Sequence, residues 1–445
     1  MYLRRLHIRN LKLLKDFELD LTNERGEPRM WTVIIGENGT GKTSILQAIA
    51  MAAAGGRHVN SLMENPRSLS DKRAPRSKVS IEADFVLDAR LGKWRDYPGY
   101  PGRKPTNDVA VTAKVDVQGT DVVERSRYAD DGVASEADPI VEARQVNAGL
   151  WFVAAYGVHR FLPPDTQWKP SLERASIDRL RPVFKPANLI GTAFNNILTG
   201  KKANAYRRVL RTALFGVPGL LPELKGLELR GQSGGRPLEE QHRFVQALPS
   251  GDMKLPASWL SHGYQSTIAW IADLVGHILW EVKTEPGLSP AEMEGLVLID
   301  ELDLYLHPRW QRVLIHSLKA TFPRLQFIAT THSPLALVGL RPDEDEIVRL
   351  VLDSTTGNIE QLDMKRGQRH EPDPRLMTGS EIYRTYFGID KFYPEELGEV
   401  LRAHRYLAAN PARSRDDEAK LDQLERQLKA EGVEPDFPRE PRKGS

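Results

Sequence analysis

The sequence predicts an α/β fold: a mixed, mostly parallel sheet covered by helices, with an antiparallel β subdomain, a helical insertion and a helical C-terminal tail. Three observations carry this. A continuous β-branched run, Trp31 to Ile35, passes through a glycine-rich turn directly into a helical segment from Ser44 to Ala50. Apolar residues alternate strictly at Val79, Ile81, Ala83, Phe85 and Leu87, and again at Val109, Val111, Ala113, Val115 and Val117. From residue 264 onward strand-like and helix-like segments alternate, which implies parallel strands joined by helical crossovers.

In chain order, residues 1–150 read as a first lobe. Leu6 and Ile8, then Phe17 and Leu19, mark an edge hairpin, and an antiparallel unit spans about 79–128. Residues 151–258 open on a buried strand within 150–158 and continue as a proline-broken insertion with helical stretches such as 187–214. Those prolines exclude a long coiled coil. Residues 259–365 read as a second lobe: helix 264–282, strand 295–299, helix 308–320, strand 325–330 and a β pair at 346–351 and 358–362. In the tail, 366–445, short amphipathic helices are expected over 379–430. The stripe of Leu421, Leu424 and Leu428 needs a covering face, either from its own domain or from another protein.

Composition narrows the chemistry. The 445 residues are 40% hydrophobic, enough for a substantial core, and contain no cysteine, so thiol catalysis, disulfides and cysteine-held metals are excluded. Lys and Arg number 62 against 60 Asp and Glu, a net charge of +2, which is not that of a polycation built to coat nucleic acid. No apolar stretch approaches the ~20 residues of a membrane helix, and the N-terminus lacks the apolar core of a secretion signal, so a cytoplasmic protein without membrane contact is expected.

Gly36-Glu37-Asn38-Gly39-Thr40-Gly41-Lys42-Thr43 matches G-x-x-x-x-G-K-[ST] in full, between strand and helix as the motif requires. The main-chain amides around Gly36, Asn38, Gly39 and Gly41, continuing to Ser44, would wrap a triphosphate at a helix N-terminus. Lys42 would reach its β- and γ-phosphates, and Thr43 would hold Mg²⁺. Leu296-Val297-Leu298-Ile299-Asp300-Glu301 is an apolar strand ending in two acids at the carboxyl edge of the sheet. Asp300 suits the metal shell, and Glu301 can polarise an attacking water. His332, just past the strand that ends in Thr330, is placed to donate a hydrogen bond to the γ-phosphate or to position that water. Trp259-Leu260-Ser261-His262-Gly263-Tyr264-Gln265 leads into an apolar helix. Alone, its Ser-x-Gly is a helix N-cap.

Taken in order, phosphate loop, Leu-Ser-x-Gly-x-Gln, Asp-Glu and His, the chain resembles the ATP-binding-cassette (ABC) ATPases. Within them it is similar to the RecF/SMC/OLD-like branch, and specifically to the AAA-family ATPases of bacterial anti-phage defence operons, such as those of Septu-like systems. Leu6-His7-Ile8-Arg9-Asn10, Trp259-Leu260-Ser261, Asp300 through Pro308 and Thr331-His332-Ser333-Pro334 carry that likeness, which covers about 1–60 and 150–350. The resemblance implies an ATPase using ATP and Mg²⁺. It implies a homodimer or higher oligomer in which Ser261 and Gly263 meet the γ-phosphate bound by the facing subunit. It also implies a separate effector protein, such as a nuclease. His262 departs from the usual glycine of the signature, and His307 stands where transporter cassettes usually have aspartate. The family's glutamine loop is left unassigned, with Gln145 as a candidate. Tyr156-Gly157-Val158-His159-Arg160 resembles a Tyr-Gly-x-x-Arg segment of these relatives, and equally reads as a strand-to-loop junction.

Two rivals stand beside the effector-regulating ATPase: a RecF-like DNA-repair clamp and a slowly hydrolysing nucleotide-locked scaffold. Arg67, Lys72, Arg73, Arg76 and Lys78, with Lys201, Lys202, Arg207, Arg208 and Arg211, are the basic residues available to a nucleic-acid partner. OLD-type nucleases carry a metal-binding carboxylate domain after the histidine. The 113 residues that follow His332 show no such acid cluster, which places any nuclease in a partner.

Overall fold

A computed structural model describes residues 1–56, 58–74, 76–87, 108–118, 120–129, 138–140, 152–162, 175–187, 189–216, 219–221, 224–229, 242–281, 289–362, 372–389, 394–434 and 437–441. Gln145 lies outside them. The chain divides into two units, Met1–Gly379 and Ser380–Ser445.

In the first unit a six-stranded sheet has the order β14-β13-β3-β12-β11-β7. Its strands are β3 (Trp31–Gly36), β7 (Val153–Tyr156), β11 (Gly295–Ile299), β12 (Leu325–Thr330), β13 (Glu346–Leu352) and β14 (Ile359–Leu362). All pairs are parallel except β13 with β14. The sequence of β11 is continuously apolar because Leu296, Val297, Leu298 and Ile299 are all buried, as expected for an interior strand covered on both faces. Trp31 stacks on Phe327 at 4.5 Å between centroids, and this fixes the start of β3 against β12.

A second, antiparallel sheet runs β2-β1-β4-β5-β6. Its strands are β1 (Tyr2–Leu11), β2 (Leu14–Asp20), β4 (Ser80–Leu87), β5 (Val109–Gln118) and β6 (Asp121–Tyr128). The alternation seen in the sequence is its inner face: Ile81, Ala83, Phe85 and Leu87 are buried, while Glu82 and Asp84 between them are partly exposed. Helix α1 (Lys42–Ala54) touches both sheets, which explains its composition. Ala48, Ala50, Ala52, Ala53 and Ala54 leave little bulk on any side, so two layers approach it closely and bury it almost all round. One polar side chain ties the sheets together. Gln326, wholly buried on β12, accepts from the Leu3 amide at 2.7 Å and donates to the Leu3 and Arg29 carbonyls at 2.8 and 2.9 Å.

The insertion holds more than helices. Helix α2 (Gly200–Phe215) is preceded by short turns rather than one long helix, since Leu198 and Thr199 are extended and Gly200 takes φ 55°. It is followed by a three-stranded antiparallel sheet of β8 (Leu224–Glu228), β9 (Arg243–Leu248) and β10 (Gly251–Pro256), in the order β10-β9-β8. The proline at 249, read from sequence as a breaker, sits in the two-residue turn between β9 and β10, where a missing N–H costs nothing. The second lobe adds helices α3 (His262–Glu281), α4 (Pro308–Thr321) and α5 (Pro334–Leu337). Among the described residues no helix is long and apolar enough to cross a membrane.

In the second unit, α6 (Glu395–Ala408) packs on α7 (Arg415–Ala430). The N-terminus of α7 is closed by a capping box, the Ser414 hydroxyl accepting from the Asp417 amide at 3.1 Å and the Asp417 carboxylate accepting from the Ser414 amide at 2.9 Å. Leu421 and Leu424 find their cover on Leu407 and Ala408 of α6, so part of the amphipathic stripe is used inside its own unit.

Candidate functional site

Gly36 to Thr43 form the turn between β3 and α1. Gly41, at φ 78°, takes the left-handed conformation that starts α1, and a Cβ there would lie 3.1 Å from Ile359 Cδ1 on β14. The backbone conformation favours glycine, and any added Cβ would also press on the Ile359 side chain. The loop borders a cleft of about 350 Å³ lined by Asn38, Gly39, Thr40, Gly41, Lys42, Thr43, Ser44, Asp300, Glu301 and His332, with Leu11, Lys12, Leu13, Leu14 and Ile359 completing the wall. Most of the residues singled out in the sequence thus meet at one place. Gly36, at the end of β3, and Ser261 and Gly263 are not among the cleft's lining residues.

The parallel register of β11, β12 and β3 brings the carboxyl ends of these strands together, and with them the acids. The Thr43 hydroxyl donates to Asp300 Oδ2 at 2.8 Å, and the Thr330 hydroxyl donates to Asp300 Oδ1 at 2.7 Å. Thr330 Oγ1 also accepts from the Glu301 amide at 2.8 Å. Among the described residues Glu301 is one of four non-glycine residues in the left-handed region, at φ 47°, a strain of roughly 1–3 kcal/mol. Lys42 folds back on its own loop, its Nζ donating to the Gly36 and Glu37 carbonyls at 2.8 Å each. Burial lowers the Lys42 pKa from its ordinary value, while Asp300 and Glu301 act in the opposite sense and favour the ammonium.

Lys12 belongs to this wall and was not evident from sequence. It sits in the turn between β1 and β2 at φ 51°, and its Nζ donates to Ser44 Oγ at 2.9 Å. Burial also lowers its pKa. A lysine in a hairpin turn gives no signal of its own. Only the packing of the antiparallel sheet against α1 sets it beside the phosphate loop.

The Thr43 hydroxyl and Asp300 carboxylate, already within 2.8 Å of each other, are the hard oxygen donors that Mg²⁺ takes from a protein when phosphate and water supply the rest. The donor set therefore fits that ion. Among the described residues no group of three or more His, Asp or Glu forms an all-protein metal cage.

The signature segment is built separately. Ser261 is exposed and its carbonyl accepts from the Gln265 amide at 3.1 Å, which makes it the cap of α3. Gly263 is buried against the segment after the acid pair: a Cβ there would lie 2.5 Å from the Tyr305 carbonyl oxygen. His262 makes an edge contact with the Tyr305 ring at 5.8 Å, and Tyr264 one with Trp310 at 4.2 Å. Exposed Trp259 and half-exposed Tyr305 flank the segment. His307 caps α4, its Nδ1 accepting from the Arg309 amide at 3.3 Å, a role an aspartate at this position would also fill.

Several of the basic residues noted as nucleic-acid candidates are engaged within the chain. Arg73 pairs with buried Asp71 at 3.1 Å and donates to the Thr356 and Gly357 carbonyls and to Asn358 Oδ1 in the turn between β13 and β14. Lys202 donates to the Trp280 carbonyl, Arg207 to Asn195 Oδ1 and Arg211 to the Leu227 carbonyl.

A phosphate loop on the central strand, acids at the end of the strand two places away and a Ser-x-Gly cap on a separate helix are the layout of ABC-like ATPases. Family profiles and curated relatives point the same way. The profile "AAA ATPase domain" matches residues 1–116, and "AAA domain, putative AbiEii toxin, Type IV TA system" matches residues 169–338. Septu protein PtuA of Bacillus mycoides (strain KBAB4) is 24% identical over 430 residues, 96% of this chain and 50% of that protein. "Retron Vc95 probable ATPase" of Vibrio cholerae serotype O1 biovar El Tor is 41% identical over 90 residues, 20% of this chain and 17% of that protein. The chain spans about half the length of the Septu relative and less of the retron one. A solved SmcHead bound to the C-winged helix domain of ScpA is 15% identical, with 82% of this chain and 99% of that one covered at a TM-score of 0.48. Across these matched segments the chain is similar to ABC-like ATPases of the kind found in defence systems.

Proposed function

We propose that this protein binds ATP with Mg²⁺ in the cleft beside Lys42, hydrolyses it where two copies face each other, and through that cycle regulates a partner effector, a nuclease, in anti-phage defence. The observation that carries the reading is the meeting of Lys42, Thr43, Asp300, Glu301 and His332 around one cleft, with Ser261 and Gly263 outside it. A second copy would supply the signature segment that this cleft lacks, and the exposed Trp259 and Tyr305 would lie on the meeting faces.

When ATP enters, Lys42 Nζ exchanges the Gly36 and Glu37 carbonyls for the β- and γ-phosphates. Lys12 adds a second cation to the same wall. Thr43 and Asp300 would hold Mg²⁺, which when bound neutralises charge on the phosphates. Glu301 polarises the attacking water, and His332 donates to the γ-phosphate or positions that water. The similarity to a Septu protein and a retron ATPase supports the defence setting.

The test uses the purified full chain with ATP and Mg²⁺. Lys42→Ala should lose ATP binding in calorimetry. Glu301→Gln should bind ATP but turn it over about 10²- to 10⁴-fold more slowly. Ser261→Arg should keep single-copy binding while losing ATP-dependent association in light scattering. Wild-type ATP affinity in the first, wild-type turnover in the second, or undiminished association in the third would each refute its part of the reading. Recovery of a nuclease with the chain from its native host supports effector regulation, and recovery of duplex DNA alone replaces it with the repair-clamp reading.

A further inference from the structure

Arg160 is 1% exposed, yet among the described residues its guanidinium makes a single hydrogen bond, Nη2 donating to the Glu301 carbonyl at 2.7 Å. Its Nε and Nη1 meet no partner among the described residues. A buried, under-bonded guanidinium is costly, and it is tolerated here because Asp300, Asp303, Glu301 and Tyr305 surround it with negative or acceptor character. Desolvation lowers its pKa to about 10, which leaves it a cation at neutral pH. It does not line the nucleotide cleft.

What Arg160 touches is the strained peptide of Glu301. That residue is left-handed, and both its main-chain groups are held: the amide by Thr330 Oγ1, and the carbonyl by the Arg160 guanidinium together with the Leu304 amide at 3.0 Å. A β-strand that ends in an extended residue would aim the carboxylate elsewhere, so the clamp sets the direction of the side chain. The arm carrying Arg160 is itself anchored. Four residues earlier, the Tyr156 carbonyl accepts from the Asp300 amide at 2.8 Å, and the Tyr156 hydroxyl donates to buried Asp273 of α3 at 3.2 Å. One residue later, Phe161 rests edge-on against His262 at 6.4 Å.

We propose that Arg160 is the positioning residue for Glu301, holding the carboxylate in its water-polarising orientation through the main-chain carbonyl rather than by touching nucleotide. The inference rests on Glu301 as the residue that polarises water. The general physical reason is that a reacting group displaced by about 1 Å can lose two orders of magnitude in rate while ligand binding is untouched.

The experiment compares Arg160→Ala and Arg160→Lys, alone and in a Glu301→Gln background, by steady-state ATPase kinetics and by calorimetric ATP binding on the full chain. Arg160→Ala should lower kcat about 10- to 100-fold with KM and ATP affinity within about twofold. Arg160→Lys, which keeps a cationic donor, should recover part of the rate, and in Glu301→Gln the alanine change should add no further loss. A kcat within twofold of wild type, a parallel loss of ATP binding without lysine rescue, or additive losses in the double variant would each overturn the proposal. Should Arg160→Ala not fold, Arg160→Gln takes its place: a lysine variant faster than the glutamine one supports the role, and equal rates overturn it. Slow Glu301→Gln beside unaffected Arg160→Ala sinks the positioning role alone. Wild-type rates in Glu301→Gln, or no turnover by the unmodified chain, sink the reading of Glu301 and the proposal together.

Discussion

At the scale of single residues, the cleft is governed by where a few cations and hydroxyls find their partners before nucleotide arrives. Lys42 rests on carbonyls of its own loop and Lys12 on the Ser44 hydroxyl, so in the proposed ATP complex both would exchange these contacts for phosphate. A hydrogen bond to a charged group is worth about 1.5–3 kcal/mol. Lys12→Met should therefore weaken ATP binding roughly tenfold or more in calorimetry, with the loss shrinking in high salt as screening rises. Affinity equal to wild type at low salt would show that Lys12 serves only the turn. The motif residues were legible because each stands at a fixed spacing in a known strand and helix context. Lys12 was not, and Arg160 stood in a Tyr-Gly-x-x-Arg resemblance that assigned it no contact, since neither spacing nor periodicity records a bond made between remote segments.

Elements decide the shape of the cleft. Its far wall is Ile359 at the start of β14, and the turn that leads into β14 is pinned by Arg73, which also binds Asp71 near the end of a separate loop. Lys15 on β2 completes this pair at 3.0 Å from Asp71. The Arg73 guanidinium, first, and Lys15 hold the Asp71 carboxyl well below the usual carboxylate range, although its burial acts the other way. A folded carboxyl with a depressed pKa contributes stability above its unfolded value near 4, and that contribution is lost as pH falls through the folded value. Asp71→Ala should thus cost about 1–3 kcal/mol at neutral pH by denaturant unfolding, and the gap to wild type should narrow below about pH 4. A gap independent of pH would assign the cost to packing instead. The same residues explain why part of a basic run that invites a nucleic-acid reading is structural.

For the whole molecule, the division at Gly379 makes a separable claim. Every residue proposed to touch nucleotide precedes it, and the second unit covers part of the α7 stripe with its own helix α6. A chain ending at residue 379 should remain soluble and bind ATP within about twofold of the full chain in calorimetry, as expected for a unit with its own core. It should lose partner proteins or higher assembly in pull-down from the native host. Insolubility would show that the tail completes the fold of the first unit, and unchanged partner recovery would remove the tail from the docking surface.

The sequence by itself determined the strand, loop and helix around Lys42, the acid-ended strand and the helix cap at Ser261. Each depends on local periodicity and on residue types at short range, which a linear text records. It also determined the antiparallel subdomain, through alternation that survives as the buried face of β4 and β5. Tertiary structure alone decided which strands lie side by side, and with them the contact of Thr43 with Asp300 across 257 positions of chain. It decided that Gln326 joins two sheets, that Lys12 borders the cleft and that Arg160 holds Glu301. The small sheet of the insertion belongs to the same group, because its strands are too short and too polar for alternation to reveal them. The physical reason is common to all of these. Hydrogen bonds between residues remote in sequence are selected by packing, and packing is a property of the layers together rather than of any one segment.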